Sequence, residues 1–455
     1  MLNQTNACAA LTGDVPARAP ALAVRPSGRG VLVSLAVLAA AAAPSPIAAQ
    51  PSPGGDAMLS RSGAEQPVLT LTEAAALANS DQPSLSAFER EAAASAAAAA
   101  AATVLPDPQV TAGVQNFPVT GGMAFNPTAD GMTMYTIGIM REQVRRSRRL
   151  AEAARLNAEA LVSRAQASVE ERRIQRDVVL AWISAVEAVA KRRLLDRLIN
   201  DLTVGRQIME AGIPTGASTP SLALEAQAEI ALAKAQQEDA RGQEARARAE
   251  MGRWIGSAAH RPLPESVPAL EAPEVSPAIL ARHPAVALAR AQQQVNERAV
   301  EVARQERKPS ISWSVMYGYR PEYGDMVSGT VSIPLQINKR RLQDQRIAEA
   351  ASRAEAARLR VDDAQRELGG SYGQALADYR SADAQLEILL KQAIPSLEAS
   401  FEAAEARYRT GQGTLDLPLI IVRRYVETTI QSIEQQGKRA RAAAELIYLT
   451  QDAAR

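Results

Sequence analysis

The sequence predicts a mixed α and β membrane protein in which each protomer supplies four transmembrane β-strands and long antiparallel coiled-coil helices, arranged as two tandem repeats. Three observations lead there. The chain repeats itself about 200 residues apart, first from Pro83-Ser84-Leu85 through Pro108-Gln109-Val110 to Ala211-Gly212, then from Pro284-Ala285-Val286 through Pro309-Ser310-Ile311 to Thr410-Gly411. Four short segments alternate with a period of two, and two stretches much longer than a globular helix keep a three–four apolar spacing. A helix–strand–strand–helix–helix unit given twice describes an assembly whose parts are incomplete alone.

The N-terminus sets the compartment. Residues 1–49 hold Arg18, Arg25 and Arg29, an apolar run from Val31 to Ala43, and the small-residue stretch Ile47-Ala48-Ala49-Gln50. This is the layout of a secretory signal, and the apolar run is too short to remain as a spanning helix. The mature chain is expected to begin near Gln50, with 50–68 a flexible lead-in. Cys8, the one cysteine, precedes the apolar run, so the mature protein is expected to carry no thiol and no lipid-anchor cysteine.

Beyond the leader no run of about 18 apolar residues occurs, so any membrane insertion would have to be by strands. The balance of 51 Lys+Arg against 50 Asp+Glu gives no reason to invoke nucleic acid. Aromatics make up only 4% of a chain rich in Ala, Arg, Glu, Gln and Leu, a composition for long helices rather than a wide globular core.

The first repeat is placed at 69–256, with strands at 108–117 and 132–141, a long helix at 143–209 and a return helix at 218–256. After a linker at 257–275, the second runs over 276–455, with a helix at 276–307, strands at 309–320 and 326–337, a long helix at 340–409 and a return helix at 415–452. Along the strands Val110, Val114, Ile137, Ile139, Trp313, Val315, Val331 and Ile333 alternate with Ser, Thr and Gly, and are the lipid-facing candidates. Each run is roughly the length of a tilted bilayer strand, and apolar-out, polar-in is the barrel pattern. Trp313, Tyr317, Tyr319 and Tyr323 suit an interfacial aromatic girdle. A soluble sheet with one buried face shows the same alternation; the duplication and the export signal favour the barrel.

Four strands cannot close, because an open edge in lipid leaves backbone groups unpaired at several kcal/mol each. The barrel must therefore be shared between copies. Two copies would give eight strands and three would give twelve, and strand arithmetic leaves the choice open.

The helices keep a heptad rhythm. Ile347, Ala350, Ala354, Ala357, Val361, Ala364, Leu368, Ser371 and Ala375 mark one seam, and Ala151, Ala154, Ala158, Leu161, Ala165 and Ser168 mark the other. Each long helix would extend roughly 100 Å at 1.5 Å per residue. Gly369-Gly370 and Pro395 are expected to bend or interrupt the second. Gly-containing turns at Ala211–Gly216 and Thr410–Thr414 reverse the chain at the far end. Asp416 then stands in the first turn of the return helix, where a helix dipole favours an acid.

Enzyme chemistry is not expected: two histidines, His260 and His283, and no mature cysteine give no catalytic, cofactor or metal constellation. Met123, Met132, Met134 and Met140 cluster around the first strand pair, where flexible packing is the ordinary role of methionine and soft-metal contact the less common one.

Several stretches, in order and across both repeats, carry a resemblance: LTLTEAAALA at Leu69–Ala78, NFPVTGG at Asn116–Gly122, His283-Pro284, SIPLQINKRR at Ser332–Arg341 and YRTGQGTLDL at Tyr408–Leu417. On these the chain resembles the TolC-like outer-membrane efflux proteins, most closely their CzcC-like heavy-metal branch. The resemblance implies a homotrimer whose twelve-stranded outer-membrane barrel continues as an α-helical barrel across the periplasm. Its implied partners are a periplasmic adaptor, an inner-membrane pump of the resistance–nodulation–division type, and outer-membrane lipid. It further implies a passive, gated duct for heavy-metal cations, with drug export, type I secretion or a pore-less periplasmic scaffold as alternatives. Carried over by motif, Tyr408, Gly411 and Asp416 become periplasmic gate candidates, while Gly212, Gly411 and Thr414 become adaptor-docking candidates. Thr219, Pro220 and Ser221 stand where relatives can carry an acid.

Overall fold

The computed structural model describes residues 67–450, apart from 81, 129–130, 217, 274–276, 322, 411 and 413–415; the leader at 1–49 and nearly all of the 50–68 segment lie outside the described residues. The two repeats are built alike. The first comprises α1 (Leu71–Leu77), α2 (Pro83–Ala102), β1 (Gln109–Gln115), β2 (Met134–Gln143), α3 (Arg146–Gly212) and α4 (Pro220–Ile255). The second comprises α5 (Pro277–Leu280), α6 (Pro284–Glu306), β3 (Ile311–Tyr319), β4 (Met326–Ser332), α7 (Gln343–Ile388), α8 (Ile394–Arg409) and α9 (Asp416–Thr450).

The strands form one antiparallel sheet in the order β1-β2-β3-β4. The central ladder joins the repeats, from Tyr135 opposite Tyr319 to Gln143 opposite Ile311. β4 stops at Ser332, so Ile333 lies one position past the strand it was expected to occupy, and the 326–337 boundary is too long. Pro334 supplies the reason: it has no N–H for a ladder and restricts the residue before it.

α3 has 67 residues and so extends about 100 Å. Its core-facing side buries Ile174, Val178, Trp182, Ile183 and Val186 against Met251 of α4 and the Leu69–Ala78 segment. Trp182 Nε1 donates to Leu69 O at 3.0 Å, and Arg261 reaches Glu73 and the Pro67 and Val68 carbonyls. The LTLTEAAALA stretch is therefore a strap that ties the first repeat's start to the middle of its rod.

The second rod departs from expectation twice. Helix continues through Gly369-Gly370, although a glycine pair costs roughly 2 kcal/mol of helix propensity. Next to the glycines Leu368 and Tyr372 pack with Val286, Val361 and Tyr448, so tertiary burial overrides the local preference. Pro395 does interrupt, through a π-helical turn at Leu389–Ala393 that absorbs the ring and the missing N–H. Only part of the seam is buried within the chain: Ala357, Val361, Leu368 and Ala375 are covered, while Ser371 of α7 and Leu161 of α3 are exposed. Side by side, the long helices run α4, α3, α9, α7, which leaves α4 and α7 as the edges of the helical layer.

Candidate functional site: a sheet wall and a helical tip

Strand register fixes which residues share a face. Val110, Ile139 and Val315 stand in one row; Ala112, Ile137, Tyr317 and Val327 in the next; Val114, Tyr135 and Tyr319 in a third. This face is apolar and exposed throughout, with Val110 at 70% and Val327 at 72%. Trp313, opposite Val331 and Arg141, ends it on the helical side. The opposite face carries Thr111, Gly138 and Ser328, or Gly113, Thr136 and Gly318, and its Gly138 and Gly318 are buried. So broad an exposed apolar face belongs against an apolar phase or a partner.

Gly138 is required by close approach. A Cβ there would come within 2.9 Å of Val315 O and 3.3 Å of Met316 Cα. In the β1–β2 loop Asn116 and Phe125 are non-glycine residues at positive φ, and its Phe117 and Phe125 rings meet edge-on at 6.4 Å.

Arginines tie the sheet to the helices. Arg141 Nε donates to Pro106 O at 3.1 Å and Arg145 Nε to Pro309 O at 3.0 Å, while Arg148 pairs with Glu306 at 3.1 Å and Arg149 bonds the Thr103 carbonyl. Lys308, Lys339, Arg340 and Arg341 complete an exposed basic collar. Sequence reading missed this collar, although its Arg/Lys clustering at both strand-to-helix junctions was visible.

At the far end, Gly212 is the last residue of α3, where its carbonyl accepts from Thr215 Oγ1 at 2.9 Å and Ser218 N at 3.3 Å. Gly216, at φ +74°, takes the left-handed turn that glycine permits. Thr219 Oγ1 and Ser221 Oγ lie 2.9 Å apart at the start of α4. Tyr408 sits in the last turn of α8 and is exposed. Gly411 and Thr414 lie outside the described residues; Asp416 opens α9, but its side chain is outside them too.

Two links near this end were not anticipated. Arg423 of α9 reaches Glu229 of α4 at 3.2 Å and Glu427 at 3.0 Å. Tyr425 Oη donates to Glu398 of α8 at 3.2 Å. The Arg423–Glu427 spacing of four could be read from the sequence; the Glu229 partner, 194 residues away, could not.

Midway along the rods, a charge cluster joins the repeats. Lys191 of α3 pairs with Glu187 at 2.9 Å and Glu434 of α9 at 3.0 Å, and Arg441 reaches Glu187 at 2.6 Å. Burial opposes the Lys191 charge, but the Glu187 and Glu434 carboxylates outweigh it and hold the ammonium above its ordinary range. Gly437 makes the space, since a Cβ there would run into the Glu187 carboxylate. Beside it, a groove of about 930 Å³ opens between α3, α7 and α9, lined by His283, Glu367, Asp378, Lys438 and Glu445 among others. His283 is buried, caps α6 by accepting from Ala285 N at 3.2 Å, and meets Tyr448 edge-on at 5.3 Å. Burial, with Arg172 nearby, holds its pKa below the ordinary value, so it is the neutral imidazole.

Among the described residues no helix is long and apolar enough to cross a membrane, and no three His, Cys, Asp or Glu side chains are grouped to hold a metal ion.

Residues 275–450 match the family described as outer membrane efflux protein. No curated protein sequence matches the chain. Several solved structures share the fold. The CusC structure described in terms of folding and transmembrane channel formation is 15% identical, covers 84% of this chain and 91% of its own, and superposes with a TM-score of 0.70. The outer membrane protein VceC of Vibrio cholerae is 15% identical over 84% of this chain and 95% of its own, with a TM-score of 0.67. The open state of the MtrE outer membrane channel of Neisseria gonorrhoeae is 18% identical over 84% and 88%, also with a TM-score of 0.67. Residues 275–450 thus resemble the outer membrane efflux protein family, and the described chain shares the fold of these channels.

Proposed function

We propose that the protein is the outer-membrane duct of a tripartite efflux system, a passive channel and not an enzyme, built from three copies. One observation carries this reading: a four-stranded sheet whose β1 and β4 edges are unpaired among the described residues presents an exposed apolar face and continues into rods about 100 Å long. Lipid accepts such a sheet only when closed. Joining β4 of one copy to β1 of the next pairs the edges, and α7 of one copy then meets α4 of the next in the helical layer. Leu224 and Leu232 of α4, with Leu359 and Ile388 of α7, are exposed on the lone chain and fit that contact.

In this reading Val110, Val114, Ile137, Ile139, Trp313, Val315 and Val331 face lipid, and the basic collar meets phosphate headgroups at the periplasmic surface. The tips meet a periplasmic adaptor through Gly212, Gly411 and Thr414, and an inner-membrane pump of the resistance–nodulation–division type drives transport. Tyr408, Gly411 and Asp416 belong to the periplasmic constriction, and the cargo is a heavy-metal cation. The resemblance in the turn motifs supports these assignments, and the CusC match supports the fold.

Purified protein in detergent is expected to migrate as a heat-modifiable trimer and to conduct ions in a planar bilayer. A soluble periplasmic monomer would overturn the reading. Asp416→Ala is expected to raise the leak conductance; unchanged conductance would remove Asp416 from the constriction.

A further inference from the structure

The two strand-to-helix junctions share a basic motif and use it differently. In the first repeat only residues 144 and 145 separate β2 from α3, and most of the arginines there are engaged by the protein itself. Arg141 bonds Pro106 O, Arg145 bonds Pro309 O, Arg149 bonds Thr103 O, and Arg148 pairs with Glu306. Arg146 alone of this group has no side-chain partner among the described residues. In the second repeat residues 333–342 separate β4 from α7, and the acids nearby are already taken. Glu306 pairs with Arg148 and Arg346, and Asp344 with Arg307 at 3.3 Å. Lys308, Lys339, Arg340 and Arg341 are exposed, and among the described residues their side chains have no hydrogen-bond or ion-pair partner.

The backbone gathers these cations. Asn338 O accepts from Arg341 N and Leu342 N, both at 3.0 Å, and Lys339 O accepts from Asp344 N at 2.9 Å, so Lys339, Arg340 and Arg341 share one hydrogen-bonded turn. Gln336 Nε2 donates to Glu306 O at 3.1 Å, which ties the segment to the end of α6, two residues from Lys308. The same segment carries bare apolar surface. Leu335 is 82% exposed and Ile337 84%, more than Val110 or Val327 on the sheet, and Ile333 and Leu342 are exposed as well. Ile333, Leu335 and Ile337 continue the every-other-residue apolar spacing of Val327 and Val331 past the strand end. Apolar side chains on the sheet side and cations on the helix side are the order in which a membrane interface takes them.

We propose that the β4–α7 segment is a discrete site for one anionic diacyl phospholipid per protomer. Its phosphate lies on Lys339, Arg340 and Arg341 with Lys308 at the side, and its acyl chains run along Leu335 and Ile337. The proposal rests on the duct reading, which puts the sheet in lipid and this junction at the periplasmic leaflet. It goes beyond a diffuse contact of the collar with headgroups, because it assigns the site to the second repeat alone. The first-repeat arginines brace the neck of the molecule from within; those of the second are left to bind from outside. Guanidinium groups match phosphate oxygens in pairs, and attraction to an anionic lipid grows with each cation nearby. A zwitterionic headgroup brings its own cation to the turn, so net negative charge is what the site selects.

The test uses the full protein in neutral detergent, offered phosphatidylglycerol and phosphatidylcholine in equal amounts with the same acyl chains. Lipid retained per protomer after gel filtration is measured by mass spectrometry. The wild type is expected to retain about one phosphatidylglycerol per protomer, roughly tenfold over phosphatidylcholine. Lys339→Gln, Arg340→Gln and Arg341→Gln together should abolish that preference, while Arg146→Gln, at the first junction, should keep it. Leu335→Ser with Ile337→Ser should lower retention of both lipids, as lost acyl contact would. Excess inorganic phosphate should leave the lipid in place; displacement by it would make the turn a small-anion site and overturn the lipid assignment. Should the triple variant fail to fold, Arg340→Gln and Arg341→Gln singly must each lower phosphatidylglycerol retention. A triple variant that keeps its phosphatidylglycerol overturns the site, and if it also loses the trimer the segment belongs to the neighbouring copy instead. Potassium chloride conductance separates the two readings: a conducting trimer without lipid preference refutes the lipid site alone, and a protein without conductance refutes the duct.

Discussion

The two rods are repeats of one design, yet they live differently. α3 runs unbroken for 67 residues with α2, α4, α6 and α9 around it, and Ile174, Val178, Ile183 and Val186 are fully buried. The second rod, α7 and α8, covers the same number of residues but lies at an edge, buries little within the chain, and gives way to a π turn before Pro395. Equal length under unequal burial shows that one repeat supplies the beam and the other the adjustable margin. A proline inside α3 would break hydrogen bonds that neighbours on every side require; at the margin its cost falls on a turn that water can reach.

The sharpest way to break this contrast is to empty the beam. Trp182→Ala is expected to cost about 3–5 kcal/mol, since it removes a buried indole and its bond to Leu69 O. Thermal unfolding followed by helical circular dichroism checks it. Leu359→Ala, on the exposed side of α7, should leave helix content unchanged and lower only the temperature at which the assembly dissociates.

Next comes the sheet. Val327→Arg, on β4 opposite Tyr317 and two rows in from the helical end, is expected to cost about 2–4 kcal/mol and to block insertion, while Ile333→Arg, past the strand end, should cost about 0–1 kcal/mol. Membrane-fraction yield of the two variants measures the difference. Equal yields would mean that β4 extends beyond Pro334 after all.

Pro395→Ala sharpens the margin. Removing the ring should let the π turn revert to α-helix and stabilise α8 by about 1–3 kcal/mol, read as slower amide exchange over 389–401. Unchanged exchange would assign the turn to packing and not to proline.

The smallest effect expected is in acid. Burial, with Arg172, holds the His283 pKa below 6.5; among the charged or titratable groups around it are Arg172 and Arg176 of α3, Glu367 of α7, and Glu445 and Tyr448 of α9. Above the unfolded value both states are neutral and its contribution is complete. As pH falls below that value the unfolded chain takes up a proton that the buried ring resists, so stability drops toward the folded pKa. His283→Asn keeps a capping acceptor and should flatten this limb of the melting-temperature profile below about pH 6.5. An unaltered profile would assign the acid limb to carboxylates.

Much of this was legible in the primary structure because it is periodic. Alternation in Ser310–Tyr319 gives β3 to within a residue, and the duplication gives the order of elements. The long helices are readable from their seams, and the turn at Gly212 from its glycines. The same periodicity overran at Ile333, where a lost N–H matters more than pattern, and the glycine pair at 369 and 370 misled because tertiary packing outweighed local cost. What could not be read is pairing across distance. Glu187 and Arg441 are 254 residues apart, and Arg423 and Glu229 are 194.

The longest ladder in the sheet, β2 against β3, runs between the repeats and not within either one. An ancestral gene encoding a single repeat would have made a two-stranded ribbon, and a barrel of the proposed size would have needed six such products to find one another in the membrane. Fusing the halves replaces every second meeting of separate chains with a covalent tether. It also frees each half to diverge, which is how one could specialise in rigidity while its twin kept room to move.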